Sequence, residues 1–108
     1  MSITVDRWRK GKDGEYIGRA MPRMGIKASP LGNPYRLDEG VDRAVPIKQY
    51  ERRLRVLLQQ DTAERREIER LTELARHGDL VLLCWCAPLS CHGDVVKTII
   101  EERLAVRP

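Results

Sequence analysis

The sequence predicts a small single-domain α/β layer, with a short mixed or parallel sheet packed by about three helices. Three observations carry this. The run Leu80–Trp85, LVLLCW, is continuously apolar, as expected of a strand covered on both faces. The start of the chain, Ser2–Trp8, alternates Ile3 and Val5 with Thr4 and Asp6, which is the period of a strand rich in β-branched side chains. Between these two, apolar residues recur at helical spacing in two stretches, and a third helical pattern follows the apolar run.

In chain order, Arg9–Gly14 reads as a turn with two glycines, and Glu15–Arg19, EYIGR, as a second short strand, either a hairpin partner or a sheet edge. Ala20–Asp38 is irregular and holds Pro22, Pro30 and Pro34. Long loops in small domains are often functional. Within it, Ser29–Pro34, SPLGNP, is pre-shaped because its prolines fix φ and Gly32 permits positive φ.

Val45–Gln60 is expected to be a helix with Pro46 in its first turn and Ile47, Tyr50, Leu54, Leu57 and Leu58 on its inner face. Thr62–His77 is the second helix. Asp61 and Glu64 resemble a capping box, Ile68, Leu71, Leu74 and Ala75 face inward, and Gly78 ends it. Arg65, Arg66, Glu67, Glu69, Arg70 and Glu73 cover its outside, where opposite charges support one another along the helix. The last helix runs from about Cys91 to Leu104, capped by Ser90, with Val95, Val96, Ile99, Ile100 and Leu104 inside.

A length of 108 residues fits one domain, and an aromatic content of 5% without Phe makes the core aliphatic. No apolar run approaches the ~18 residues of a membrane span, and the charged N-terminus lacks the apolar stretch of a signal peptide. Three cysteines within eight residues suit reduced thiols in a cytoplasmic protein better than a disulfide framework. There is neither a dinucleotide glycine fingerprint nor a Walker loop. The net charge of +4 is uneven. Met1–Arg36 carries eight Lys/Arg against three Asp/Glu, and the remainder twelve against thirteen. A basic first third attracts phosphates or nucleic acid.

Reactive side chains concentrate in Leu80–Val96. Cys84 and Cys86 share a face if the strand reaches that far. Cys91 and His92 stand at a helix start, where the dipole and unpaired N–H groups favour a thiolate or an anion. Asp94 is placed to orient His92 or to accept from helix-end amides, and Gly93 to let a ligand approach the backbone. Three readings stay open. Cys84, Cys86, Cys91 and His92 form a zinc site, although C-x-C-x₄-C-H is no familiar finger spacing. Cys91, His92 and Asp94 are catalytic, with Cys91 or His92 as nucleophile or general base beside a small molecule. Or the cysteines are small core residues, Cys84 above all.

YIGR at Tyr16–Arg19, SPLGNPY at Ser29–Tyr35 and CWCAPLSCHGDVV at Cys84–Val96 resemble, in order and spacing, the domain-of-unknown-function family 4326 of phages and bacteria. The central segment is also similar to another uncharacterised α/β family with a Cys-x-x-x-Pro-x-x-Cys-His pattern. The resemblance implies a small α/β cytoplasmic or phage-encoded domain and no particular reaction or cofactor. It covers the helical middle, Val41–His77, in character only.

The expectation drawn from the residues is one site shared by the three motifs. Arg19 holds an anionic group by a forked contact, Gly32 and Asn33 add hydrogen bonds, and Cys91, His92 and Asp94 supply the helix-start amides and reactive groups. Charge and architecture point to a small anionic ligand, a nucleotide or nucleobase derivative, with hydrolysis or group transfer the fitting chemistry. A zinc-stabilised module without catalysis and a nucleic-acid binder using the basic N-terminal third are the alternatives. No membrane partner is expected.

Overall fold

The computed structural model describes residues 2–34, 42–85 and 91–106. Strands β1 (Ile3–Arg7), β2 (Glu15–Tyr16) and β3 (Leu80–Cys84) form a three-stranded parallel sheet in the order β1-β3-β2. Three helices complete the α/β domain: α1 (Ala44–Leu57), α2 (Ala63–His77) and α3 (His92–Ala105).

The apolar run is the central strand because it has the composition to be buried. Leu80, Leu82 and Cys84 face the helices, and Leu83 on the other face is equally enclosed. The first two strands do not form a hairpin. Both run parallel to β3, one on each side, with Arg7 opposite Cys84 and Glu15 opposite Leu82. The connection from Trp8 to Gly14 therefore crosses a face of β3. It does so over Leu83: a Cβ at Gly14 would lie 2.9 Å from the Leu83 side chain. This short crossing thus packs on that face.

The core is aliphatic as the composition requires, assembled from Ile17, Leu31, Leu54, Ile68, Leu71, Val96 and Ile100 around the strand. Several local details differ from the sequence expectation. Thr62, not Asp61, caps α2, its hydroxyl accepting from Arg65 N–H, while Asp61 pairs with Arg66 on the surface. Leu74 is exposed and Thr72 is buried in its stead, its hydroxyl returning a hydrogen bond to the Ile68 carbonyl. Cys91 itself caps α3: its sulfur accepts from Gly93 N–H, and the Asp94 carboxylate accepts from Cys91 N–H at 3.1 Å, closing a capping box. Ser90, expected in that role, lies outside the described residues.

Gly93 explains how α3 seats on the sheet. It is buried, and a Cβ there would come within 2.8 Å of Val5 and 3.3 Å of the Cys91 sulfur. The glycine admits β1, not a ligand as the sequence suggested. Substitution Gly93→Ala forces the helix start off β1 and is expected to destabilise the protein by about 1–3 kcal/mol, the usual cost of overpacking. Urea unfolding followed by circular dichroism checks this, with the exposed Thr98→Ala as control.

Candidate functional site

The three sequence motifs meet around a single turn of backbone, Ile17–Arg19, which leaves the sheet just beyond β2. Ile17 N–H still donates to Leu83 in β3, at 3.0 Å, and the Ile17 side chain is fully buried. After it, three successive carbonyls are taken by three different partners. The Ile17 carbonyl lies 2.7 Å from His92 Nε2 at the start of α3. The Gly18 carbonyl accepts from Ser29 N–H at 3.0 Å. The Arg19 carbonyl accepts from the Tyr16 hydroxyl at 2.6 Å. The YIGR, SPLGN and CHGD segments are thus tied together through main-chain acceptors.

The Ser29–Pro34 loop is rigid for reasons partly legible in its residues. Ser29 Oγ accepts from Leu31 N–H, and the Ser29 carbonyl accepts from Gly32 N–H at 3.0 Å. Gly32 does not use the positive φ open to it; Gly11, Gly14 and Gly25 are the glycines so placed among the described residues. It is required for proximity instead: a Cβ would lie 3.1 Å from the Gly18 carbonyl oxygen. Leu31 is buried beneath the loop, and its carbonyl accepts from the Tyr50 hydroxyl of α1 at 2.7 Å. Burial raises the Tyr50 pKa, so the phenol stays protonated and able to donate. The Tyr50 ring meets the His92 ring edge-on, with centroids 5.2 Å apart.

His92 is therefore enclosed on several sides and only 6% exposed. Burial lowers its pKa. The bond to Ile17 and the Asp94 carboxylate oppose the shift, and the nearby Arg19 cation adds to it. A carbonyl oxygen only accepts, so Nε2 carries the proton and the ring is neutral at neutral pH. Cys91 is fully buried with its sulfur 3.2 Å from that of Cys84, well beyond the ~2.05 Å of a disulfide. Cys86 lies outside the described residues. Among the described residues no group of three or more His, Cys, Asp or Glu side chains is arranged to hold a metal.

Among the described residues of the three motifs, the exposed charged groups are Arg19 and Asp94. Arg19 Nε donates to the Asn33 carbonyl at 2.6 Å, so it is the Asn33 main chain that fixes the guanidinium. Among the described residues neither terminal nitrogen of Arg19 has an acceptor. The structure thus brings Arg19, Gly32, Asn33, Cys91 and His92 into one neighbourhood, with Asp94 at its edge. Sequence reasoning missed Tyr50, taken only as part of an apolar helix face, and Tyr16. A hydroxyl on an otherwise aliphatic helix face is the signal that could have found Tyr50. A separate cleft of about 720 Å³ between α2 and α3, lined by Thr72, Glu73, Arg76, Glu102, Arg103 and Val106, includes none of the motif residues.

His92 makes two measurable predictions. His92→Ala leaves the Ile17 carbonyl without its donor and opens a void beside Tyr50, and is expected to cost about 2–4 kcal/mol in chemical denaturation. The histidine pKa is lowered on folding, so below its ordinary value of 6.5 the unfolded chain takes up a proton that the folded protein refuses. Stability should fall as pH drops from 6.5, before ordinary carboxylates begin to titrate. This part of the pH dependence should vanish in His92→Gln.

A family model matches the chain over residues 3–102, that of the domain of unknown function DUF4326. No curated protein and no solved structure matches the chain.

Proposed function

The chain belongs to the DUF4326 family, and from that footing we propose that it binds a small anionic ligand, a nucleotide or nucleobase derivative. The site is the junction of the Tyr16–Arg19 strand end, the Ser29–Pro34 loop and the Cys91–Asp94 helix start. One observation carries the reading: Arg19 is exposed, anchored through Nε on the Asn33 carbonyl, and has both terminal nitrogens without an acceptor among the described residues. A guanidinium already held by one edge offers its fork to a phosphate or carboxylate at reduced entropic cost. The location supports the same conclusion. Parallel α/β sheets bind ligands beyond the carboxyl ends of their strands, and Arg19 follows β2 beside the end of β3. The nearby start of α3 adds a partial positive charge, and the first third of the chain carries a net +5, from eight basic and three acidic residues.

The reading is primarily one of binding. Cys91 is 0% and His92 6% exposed, and both are engaged in holding α3 to the sheet. For a hydrolytic or group-transfer step on the ligand, Asp94 is the exposed member of the three residues expected to carry chemistry. A cytoplasmic setting goes with this reading, since three cysteines within eight residues suit reduced thiols better than a disulfide framework. Among the described residues no helix is long and apolar enough to cross a membrane.

Isothermal titration with AMP, GMP, CMP and UMP tests the proposal. At least one is expected to bind, Arg19→Ala to weaken it roughly tenfold or more, and Arg19→Lys to recover part of the loss, since lysine keeps the charge without the fork. Absence of binding by all four, or an unchanged affinity in folded Arg19→Ala protein, overturns it.

A further inference from the structure

The two tryptophans of the chain meet just beyond the carboxyl ends of β1 and β3. Trp8 follows Arg7 and Trp85 follows Cys84, and Trp8 N–H donates to the Cys84 carbonyl at 2.9 Å. Their rings lie 5.2 Å apart at an interplanar angle of 49°. Trp85 nevertheless remains 42% exposed. Single exposed apolar side chains are ordinary, but this one is held. Its indole N–H donates to the Met21 sulfur, and Trp8 buttresses the ring. Burial pushes the pKa of the Tyr16 phenol up, so it stays protonated. The Tyr16 hydroxyl in turn donates to the Arg19 carbonyl. A half-exposed indole, held by Trp8 and Met21, and an anchored guanidinium thus stand at the same end of the sheet.

We propose that the exposed part of Trp85 is a stacking platform for the flat heteroaromatic ring of the ligand, with its anionic group held by Arg19. This deepens the reading above and rests on it: the ligand is a base-bearing nucleotide, not a simple phosphate or sugar phosphate. Base–indole stacking needs an open π face and no particular hydrogen-bonding edge, and an indole already fixed by its neighbours loses little entropy on contact. The surrounding charge suits a nucleotide, because the basic excess lies in the first third of the chain, which supplies Trp8, Tyr16, Arg19 and Met21.

Tryptophan fluorescence provides the test, since Trp8→Phe leaves Trp85 as the single reporter. Titration of that protein with AMP, GMP, CMP or UMP should quench the emission saturably. In a calorimetric series, Trp85→Ala and Trp85→Leu should each weaken nucleotide binding about tenfold or more, the range of one base–aromatic stack, while Trp85→Phe retains most of it. Trp85→Leu keeps the apolar cover and removes the π face, so a loss in Leu restored in Phe reports stacking. Ribose 5-phosphate and inorganic phosphate should bind at least tenfold more weakly. If ribose 5-phosphate binds as tightly as the nucleotides and remains Arg19-dependent, the stacking inference fails while the anion site stands. If none of these probes binds, both fail. If a single-stranded oligonucleotide quenches Trp85 and no mononucleotide does, the platform serves nucleic acid and the inference is overturned.

Discussion

The carboxyl end of the sheet depends on the contact between the buried ring of His92 and the carbonyl of Ile17, 75 residues apart in sequence. The Ile17 residue is fully buried, and a buried carbonyl deprived of its donor costs far more than a typical hydrogen bond contributes on its own. The imidazole meets that demand from the first residue of α3, so the helix cannot shift without uncovering the strand. Gly93 then allows β1 to approach at van der Waals distance, and the Cys91–Asp94 box closes the helix end. The segment that concentrates reactive side chains in the sequence is thus, in good part, the joint by which the last helix is fastened.

The same joint sets the geometry of the surface beside it. Because Ile17 and Gly18 are pinned by α3 and by Ser29, the following residue leaves the core in a fixed direction. Arg19 inherits that direction, and the Asn33 carbonyl narrows it further. Tyr50 ties the loop to α1 and closes the circuit by packing on His92. The many surface ion pairs of α1 and α2, such as Arg55 with Glu51 and Glu102, stand in water and contribute little individually. What organises the site is a small number of enclosed hydrogen bonds from side chains to the main chain.

Much of the fold is readable from local pattern. The apolar run of β3, the inward faces of α1 and α3, and the glycine stop of α2 all follow from periodicity and burial. The errors share a cause. Propensity and spacing point to Ser90, Asp61 and Leu74, whereas Cys91 and Thr62 are the caps and Thr72 is the buried residue, each decided by a neighbour that spacing does not reveal. For the candidate site, the sequence identified the three motifs that meet, and it named Arg19, Gly32, Asn33, Cys91 and His92. It did not distinguish residues that support the junction from those that face solvent, because exposure is a property of the packed chain.

By itself, the sequence determined an α/β domain with an aliphatic core, a basic first third and a cluster of polar groups at a strand-to-helix junction. Those follow from composition and periodicity, which act locally. Only the tertiary structure decided that β1 and β2 flank β3 in parallel, that Gly32 and Gly93 exist to admit neighbouring backbone and side chain, and that His92 serves the Ile17 carbonyl. Each of these is a contact between segments far apart in the chain, chosen by which buried polar group needs a partner and which surface has room for one.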